Sequence, residues 1–176
     1  MGRGRQATDT DRTDPTSGRT VLSESASVEE RAAALADAIE AALPAWVERS
    51  VERLMRAWKG EVDEGVRAAA AAAGRQTAAE VGPQVRVLLD TDIDAQRTTP
   101  LSLVRGAVRY PTAVLLAAGV PPVMRDEQQE RLFPEDVYDL APASFADVDP
   151  GLAEVGLAWG AAKAFEHLQR HKVGKE

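Results

Sequence analysis

Acidic side chains in the second half of the chain have the clearest potential for chemistry. Asp90, Asp92 and Asp94 alternate along one short stretch, and their carboxylate oxygens are the ligands that Ca²⁺ and Mg²⁺ prefer. A helix–loop–helix calcium loop that starts at Asp90 would need Gly and Glu where the chain has Ala95 and Leu101. The spacing therefore does not predict a calcium loop, and we interpret the stretch as an acidic turn that ends a helix.

The segment from Val85 to Asp92 has the outline of a phosphatase nucleophile, an apolar strand that ends in an Asp-x-Asp pair. It superficially resembles the haloacid dehalogenases, which need a doubly wound sheet after the motif. Only 84 residues follow Asp92, and their pattern is helical with many prolines. The resemblance therefore does not predict that activity for this chain.

Two other pairs of side chains have the spacing of metal ligands. Glu127 and Glu130 resemble the paired acids with which all-helical nucleotide pyrophosphohydrolases bind magnesium, but a second pair in a matching helix is missing. His167 and His171 are one helical turn apart, yet Leu168 stands where a zinc protease has Glu. We predict no catalytic residue, no metal ligand and no cofactor, and keep a small metal-dependent nucleotide or phosphate-ester hydrolase as the alternative function.

Composition restricts the function classes and the compartment. The net charge of −7 argues against general nucleic-acid binding, which needs a positive surface. The chain has no cysteine, which excludes disulfides, thiolate nucleophiles and cysteine zinc sites. Residues 1–26 lack the apolar core of a signal peptide, and no apolar run is long enough to span a membrane. We therefore expect a cytoplasmic protein that does not enter a membrane.

Charge is segregated along the second half of the chain. Residues 97–109 carry a net charge of +3, and residues 125–149 carry a net charge of −6 with aromatic side chains among the acids. This pattern favours a non-catalytic protein-interaction or regulatory module that binds an unidentified protein partner. Pairing of the two segments within the molecule is the open alternative. The predicted interaction residues are Arg97, Arg105, Arg109, Tyr110, Asp126, Glu127, Glu130, Phe133 and Tyr138.

The elements that position these side chains are predicted to be helices. Alanine is abundant, and apolar residues recur every three or four positions from Leu35 to Val66, which draws one stripe along an α-helix. The pattern predicts an all-α fold built on a long kinked amphipathic helix over residues 27–73. The stripe could form the face of a core or the seam of a homodimer, and the sequence leaves both open.

Local signals predict where the first helices start and stop. Ser27 and Glu30 have the capping-box pattern, which marks the start of the long helix. Pro44 predicts a kink or a break, because proline removes an intrahelical hydrogen bond and clashes with the preceding turn. Gly74 is a candidate C-cap, and Gly82 with the following proline is a possible interruption of the next helix.

The rest of the chain is predicted to add shorter helices to one domain. Residues 1–26 have the composition of a disordered tail, and residues 27–176 are expected to form a single helical domain. Thr99-Pro100 and Asp149-Pro150 predict the starts of a short helix and of a C-terminal helix that packs on the first. The acidic, proline-broken region between them is expected to fold back as a clasp or to offer its aromatic residues to a partner.

Four short runs of sequence resemble an uncharacterised family of small actinobacterial proteins. The resemblance covers roughly residues 80–172 and implies a bacterial source, without an activity or site to carry over. The runs are Leu89 to Pro100, Arg109-Tyr110-Pro111, Gly119 to Pro122 and Phe133 to Asp139.

Overall fold

The computed structural model describes residues 26–91, 99–124 and 134–173, and within these ranges all regular structure is helical. The predicted all-α fold is therefore confirmed, whereas the predicted tail lies, apart from its last residue, outside the described residues. In chain order the helices are α1 (Val28–Lys59), α2 (Glu64–Asp90), α3 (Pro100–Gly106), α4 (Arg109–Ala117), α5 (Phe145–Val148) and α6 (Pro150–Val173).

Helix α1 is the central element. The predicted capping box is present: Glu30 N donates to Ser27 Oγ at 3.2 Å, and Ser27 N donates to Glu30 Oε2 at 2.7 Å. The apolar stripe is buried against α2, α4 and α6. Because these side chains are packed inside the molecule, the stripe is a core face, and the hypothesis of a homodimer seam along this helix is wrong. Its buried members are Leu35, Ile39, Leu43, Trp46, Val47, Val51 and Met55.

The first two helices form a hairpin whose turn lies at Gly60 rather than at Pro44. Gly60 has a left-handed backbone with φ of +79°, and its N–H donates to Arg56 O at 2.9 Å. Asp63 then caps α2 by accepting from Val66 N at 2.9 Å. Left-handed backbone is easily adopted only by glycine, so the chain reverses there. Of the two alternatives predicted for Pro44, the break is wrong, since α1 continues through it, and the kink stays a prediction.

Two glycines that were expected to end or interrupt a helix lie inside α2 instead. Gly74 is buried, and a Cβ placed on it would lie 2.9 Å from both Cα and O of Pro44. A Cβ on Gly82 would lie 2.9 Å from Cγ of Glu40. The missing side chains let the α2 backbone approach α1 closely. The helix-ending roles predicted for these residues are therefore wrong, because packing between helices overrides local propensity.

Helix α6 lies along α1 in the opposite direction. Near its start, Arg49 Nη2 of α1 donates to Val148 O at 2.5 Å. The second half of α6 lies beside the first residues of α1, since Phe165 and Val28 line the same groove. The predicted start is confirmed, since Gly151 N donates to Asp149 Oδ1 at 2.8 Å. Helix α6 packs mainly on α1 and α5, and the opposite side of the helix faces away from the core.

Residues 134–149 form a clasp over the helices, which is one of the two arrangements predicted for the acidic region. Tyr138 is buried and donates from its hydroxyl to Val120 O at 2.6 Å. The buried carboxylate of Asp136 accepts from Leu140 N at 2.6 Å and from Ala141 N at 2.8 Å. A buried carboxylate is stable only when it is hydrogen-bonded, so Asp136 fixes the turn of the clasp.

Candidate interaction surface

Arg105 holds the clasp to α3. Its Nε donates to Pro142 O and its Nη2 donates to Ala143 O, both at 2.8 Å. The chain turns at Ala107 before α4 begins, so Arg105 and Arg109 belong to different helices and have different partners. The two arginines of the positively charged segment therefore do not act from one helix.

Arg109 and Tyr110 are joined to α2 through Glu80. The Tyr110 hydroxyl donates to Glu80 Oε2, and Arg109 Nη2 donates to the Tyr110 hydroxyl at 2.9 Å. The hydrogen bond from Tyr110, followed by one from Gln76, lowers the pKa of Glu80. Burial is the main cause that raises the pKa of Tyr110. These groups form a polar bridge between α2 and α4 inside the molecule.

The other predicted interaction residues do not complete a surface in the described part of the chain. Tyr138 is 3% exposed and faces the core of the molecule. Acids of the clasp bind its own backbone, since Asp147 Oδ2 accepts from Ser144 N at 2.8 Å. Of the described members, Tyr110 and Tyr138 are buried, whereas Arg105 and the exposed Arg109 bind groups of the same molecule. The remaining members, Arg97, Asp126, Glu127, Glu130 and Phe133, lie outside the described residues.

The histidine pair lies on the last turns of α6. The ring centroids of His167 and His171 are 4.1 Å apart, and His171 Nδ1 lies 3.0 Å from His167 O. Across residues 26–91, 99–124 and 134–173, no three His, Asp or Glu side chains are grouped closely enough to hold a metal ion. Asp92, Asp94, Glu127 and Glu130 lie outside the described residues, so the alternative of a metal-dependent hydrolase stays a prediction.

A groove of about 810 Å³ lies between α1 and the clasp. Arg49, Arg53 and Arg56 form a row along its α1 wall, and Asp139 and Asp147 lie on the clasp side. Arg56 pairs with Glu52 at 3.0 Å, and the guanidinium of Arg49 donates to a backbone carbonyl of the clasp. The three arginines are balanced by three acids among the lining residues, Glu52, Asp139 and Asp147. The groove therefore has no net positive charge that would attract an anion.

The outward side of α6 carries several exposed apolar side chains. Leu157, Phe165 and Leu168 are 75%, 64% and 59% exposed. Ala161 and Ala164, which are also exposed, complete a stripe that we call the outward face, at spacings of three and four residues. The side that faces α1 carries a second apolar stripe of Leu152, Val155 and Trp159. A helix that is apolar on two sides needs a second neighbour to cover both.

The outward face continues into a groove of about 540 Å³ between α6 and the start of α1. Ala161 and Phe165 belong to both, while Val28 and Arg31 form the opposite wall. The sequence contained a signal for this surface, because Leu157, Phe165 and Leu168 fall outside the period of the stripe that packs on α1. The sequence pattern predicted only a C-terminal helix that packs on the first, and the outward face was not predicted.

None of the helices in the described ranges is long and apolar enough to cross a lipid bilayer. Comparison with protein-family models, with curated proteins and with solved structures finds no match to the chain. The resemblance to small actinobacterial proteins therefore stays a prediction. Among the surfaces of the described residues, the outward face of α6 is the strongest candidate for an interaction site.

Proposed function

We propose that the protein is a non-catalytic cytoplasmic protein-interaction module that binds an amphipathic helix on the outward face of α6. The carrying observation is the exposure of Leu157, Phe165 and Leu168 along one side of a helix whose other side is already packed. Single exposed apolar side chains are ordinary, but an aligned set of this kind is typical of a docking surface. The spacing of Leu157, Phe165 and Leu168 along one side of α6 resembles that of the anchor residues in helix-in-groove recognition.

The energetics favour reversible binding. Complete burial of a Leu or Phe side chain contributes about 1.5–3 kcal/mol, so the three exposed anchors together supply several kcal/mol. Association costs at least about 4 kcal/mol in lost translational and rotational freedom. The anchors therefore roughly offset that cost, and the net affinity depends on the adjoining groove and on charged residues at the rim. This balance suits a regulatory contact better than a permanent complex.

The proposal is tested by reversing the character of the face while the fold is kept intact. Leu157→Lys with Leu168→Lys places two charges on the outward face, whereas Val87→Lys is a matched control on α2, where Val87 is 64% exposed. Tagged wild-type and variant proteins are compared as baits in native lysate, with circular dichroism to confirm equal helix content. We expect a bound protein that is lost with the double variant, kept with the control and displaced by a synthetic peptide of residues 150–173. An identical set of bound proteins for all three baits would contradict the proposal.

A further inference from the structure

We infer that the helix on the outward face is α6 of a second copy of this chain, which runs antiparallel to the first. This inference rests on the proposed function and names its partner. It makes the module a symmetric homodimer whose two-fold axis passes beside the middle of α6. Three independent properties of α6 agree on this arrangement: the placement of its apolar residues, the sizes of those residues and the distribution of charge along the helix.

The outward face is complementary to itself when one copy is reversed. A two-fold axis midway between Leu157 and Leu168 sets Leu157 of one copy opposite Leu168 of the other. In the same register, Ala161 lies opposite Ala164 of the second copy. These four positions alternate at steps of four, three and four residues, which is the spacing of a helix-pairing seam.

The sizes of the side chains fit two reversed copies. The two exposed alanines lie at the centre of the seam, where the helices would be closest, and large leucines lie at both ends. Small residues at the centre allow two backbones to approach, and bulky residues at the ends then close over the contact. Phe165 lies at the edge of the seam and lines the groove between α6 and the start of α1.

Charge selects the antiparallel direction. The first half of α6 carries Glu154, and its last turn carries Arg170, His171 and Lys172. The register that aligns the apolar seam also sets Glu154 of one copy beside His171 and Lys172 of the other. A parallel pair would set like charges side by side instead. Opposite charges at an interface rim fix orientation, and reversed helices also bring their oppositely charged termini together.

Cysteine pairing tests the arrangement directly, because the natural chain contains no cysteine. Leu157→Cys and Leu168→Cys are made as separate variants of the full chain, mixed in equal amounts and oxidised mildly. The antiparallel pair predicts that the mixed disulfide exceeds the half share expected from random collision. When Val87→Cys, at a similarly exposed position on α2, replaces one of the two variants in the mixture, the mixed disulfide is expected at no more than the random half share. A random distribution, or an excess of disulfides between identical variants, would overturn the inference.

A charge swap provides a second test that needs no cross-link. Glu154→Lys and Lys172→Glu should each weaken self-association measured by light scattering, because each sets like charges against each other across the dimer. The double variant should recover association. Within one copy the two positions are about 27 Å apart along the helix axis, so an intramolecular pair does not explain recovery. Additive weakening in the double variant would contradict the antiparallel register.

The two proposals fail in different ways. A full chain that stays monomeric at high concentration, while a different protein still binds through the outward face, would overturn the homodimer and leave the interaction module standing. A chain that neither self-associates nor binds any protein through that face would overturn both. Self-association that survives Leu157→Lys with Leu168→Lys would place the dimer elsewhere and overturn the inference about α6.

Discussion

Arg105 ties the clasp to α3 through two hydrogen bonds. Its guanidinium donates to the carbonyls of Pro142 and Ala143, which belong to a segment without regular structure apart from α5. Hydrogen bonds from a charged donor contribute about 1.5–3 kcal/mol when buried, and partial exposure of this residue reduces the figure. We therefore expect Arg105→Ala to lower the free energy of unfolding by about 1–2 kcal/mol.

Urea unfolding monitored by circular dichroism measures this effect. Arg53→Ala is the control, since Arg53 is exposed on α1 and lines the groove beneath the clasp. The control should unfold at the wild-type urea concentration. If Arg105→Ala instead kept the wild-type midpoint and lost a bound partner, the residue would act on a partner surface, as the charge pattern alone had suggested.

Glu80 makes stability depend on pH through its contact with Tyr110. The hydrogen bond from Tyr110 lowers the pKa of Glu80 in the folded state, so this contact stabilises the fold at neutral pH. The contribution is lost as the pH falls through the lowered pKa, because Glu80 then becomes protonated. We expect the difference in urea midpoint between wild type and Tyr110→Phe to shrink as the pH falls from about 6 to about 3.

A double-mutant cycle separates this effect from other titrations. With Gln at position 80, the difference caused by Tyr110→Phe should not vary over the same pH range, because no carboxylate is left to titrate. A difference that shrinks equally in both backgrounds would assign the pH dependence to other carboxylates.

At the scale of whole elements, the crossing of α1 and α2 depends on Gly74. A Cβ there would lie 2.9 Å from backbone atoms of Pro44, which cannot rotate away. Alanine gains about 1 kcal/mol in helix propensity over glycine, but forced overpacking against a backbone costs about 1–3 kcal/mol. We expect Gly74→Ala to be destabilising, with a lower melting temperature.

Gly160 on α6 is the control for Gly74. Alanine at this position gains the same helix propensity but meets no steric clash with the described residues. A Cβ added there meets nothing within 4 Å among the described residues, so Gly160→Ala should raise the melting temperature. Equal stabilisation by both substitutions would show that α1 and α2 are farther apart at the crossing than the structure places them.

Helix starts could be predicted from the sequence because the signals are local. Ser27 with Glu30, Thr99 with Pro100, and Asp149 with Pro150 each satisfy backbone groups of their own first turn, and all three starts are observed. The turn at Gly60 was not predicted, because the local patterns at Pro44 and Gly74 indicate places where helices bend or end. Both residues lie inside helices that pack closely at these two positions, and a contact between two helices is not visible in a local pattern. The contacts of Arg105 were hidden for the same reason, since its acceptors are 37 and 38 residues away along the chain.

At the scale of the whole molecule, α1 and α6 differ in how many neighbours they have. Helix α1 is surrounded by α2, α4 and α6, which cover its stripe. Helix α6 packs on α1 and α5 and leaves Leu157, Phe165 and Leu168 uncovered. A helix whose apolar stripe is covered, such as α1, could bind a partner through that stripe only if the core rearranged. Helix α6 has an uncovered apolar side, so it can bind another helix while the core stays as it is. The proposed interaction surface is therefore the uncovered apolar side of a long helix.

Self-association through α6 has a consequence for the stability of the whole molecule. When only the folded chain dimerises, mass action stabilises the fold by about 1.4 kcal/mol at a free concentration ten times the dissociation constant. For a domain of this size, that corresponds to a rise in melting temperature of about 3–6 °C. Calorimetry over a hundredfold range of protein concentration should show this rise for wild type and for Val87→Lys. Leu157→Lys with Leu168→Lys should melt at one temperature throughout. A wild-type melting temperature that does not change with concentration would mean that the outward face stays uncovered in the isolated protein, because no second copy would then be contributing to its stability.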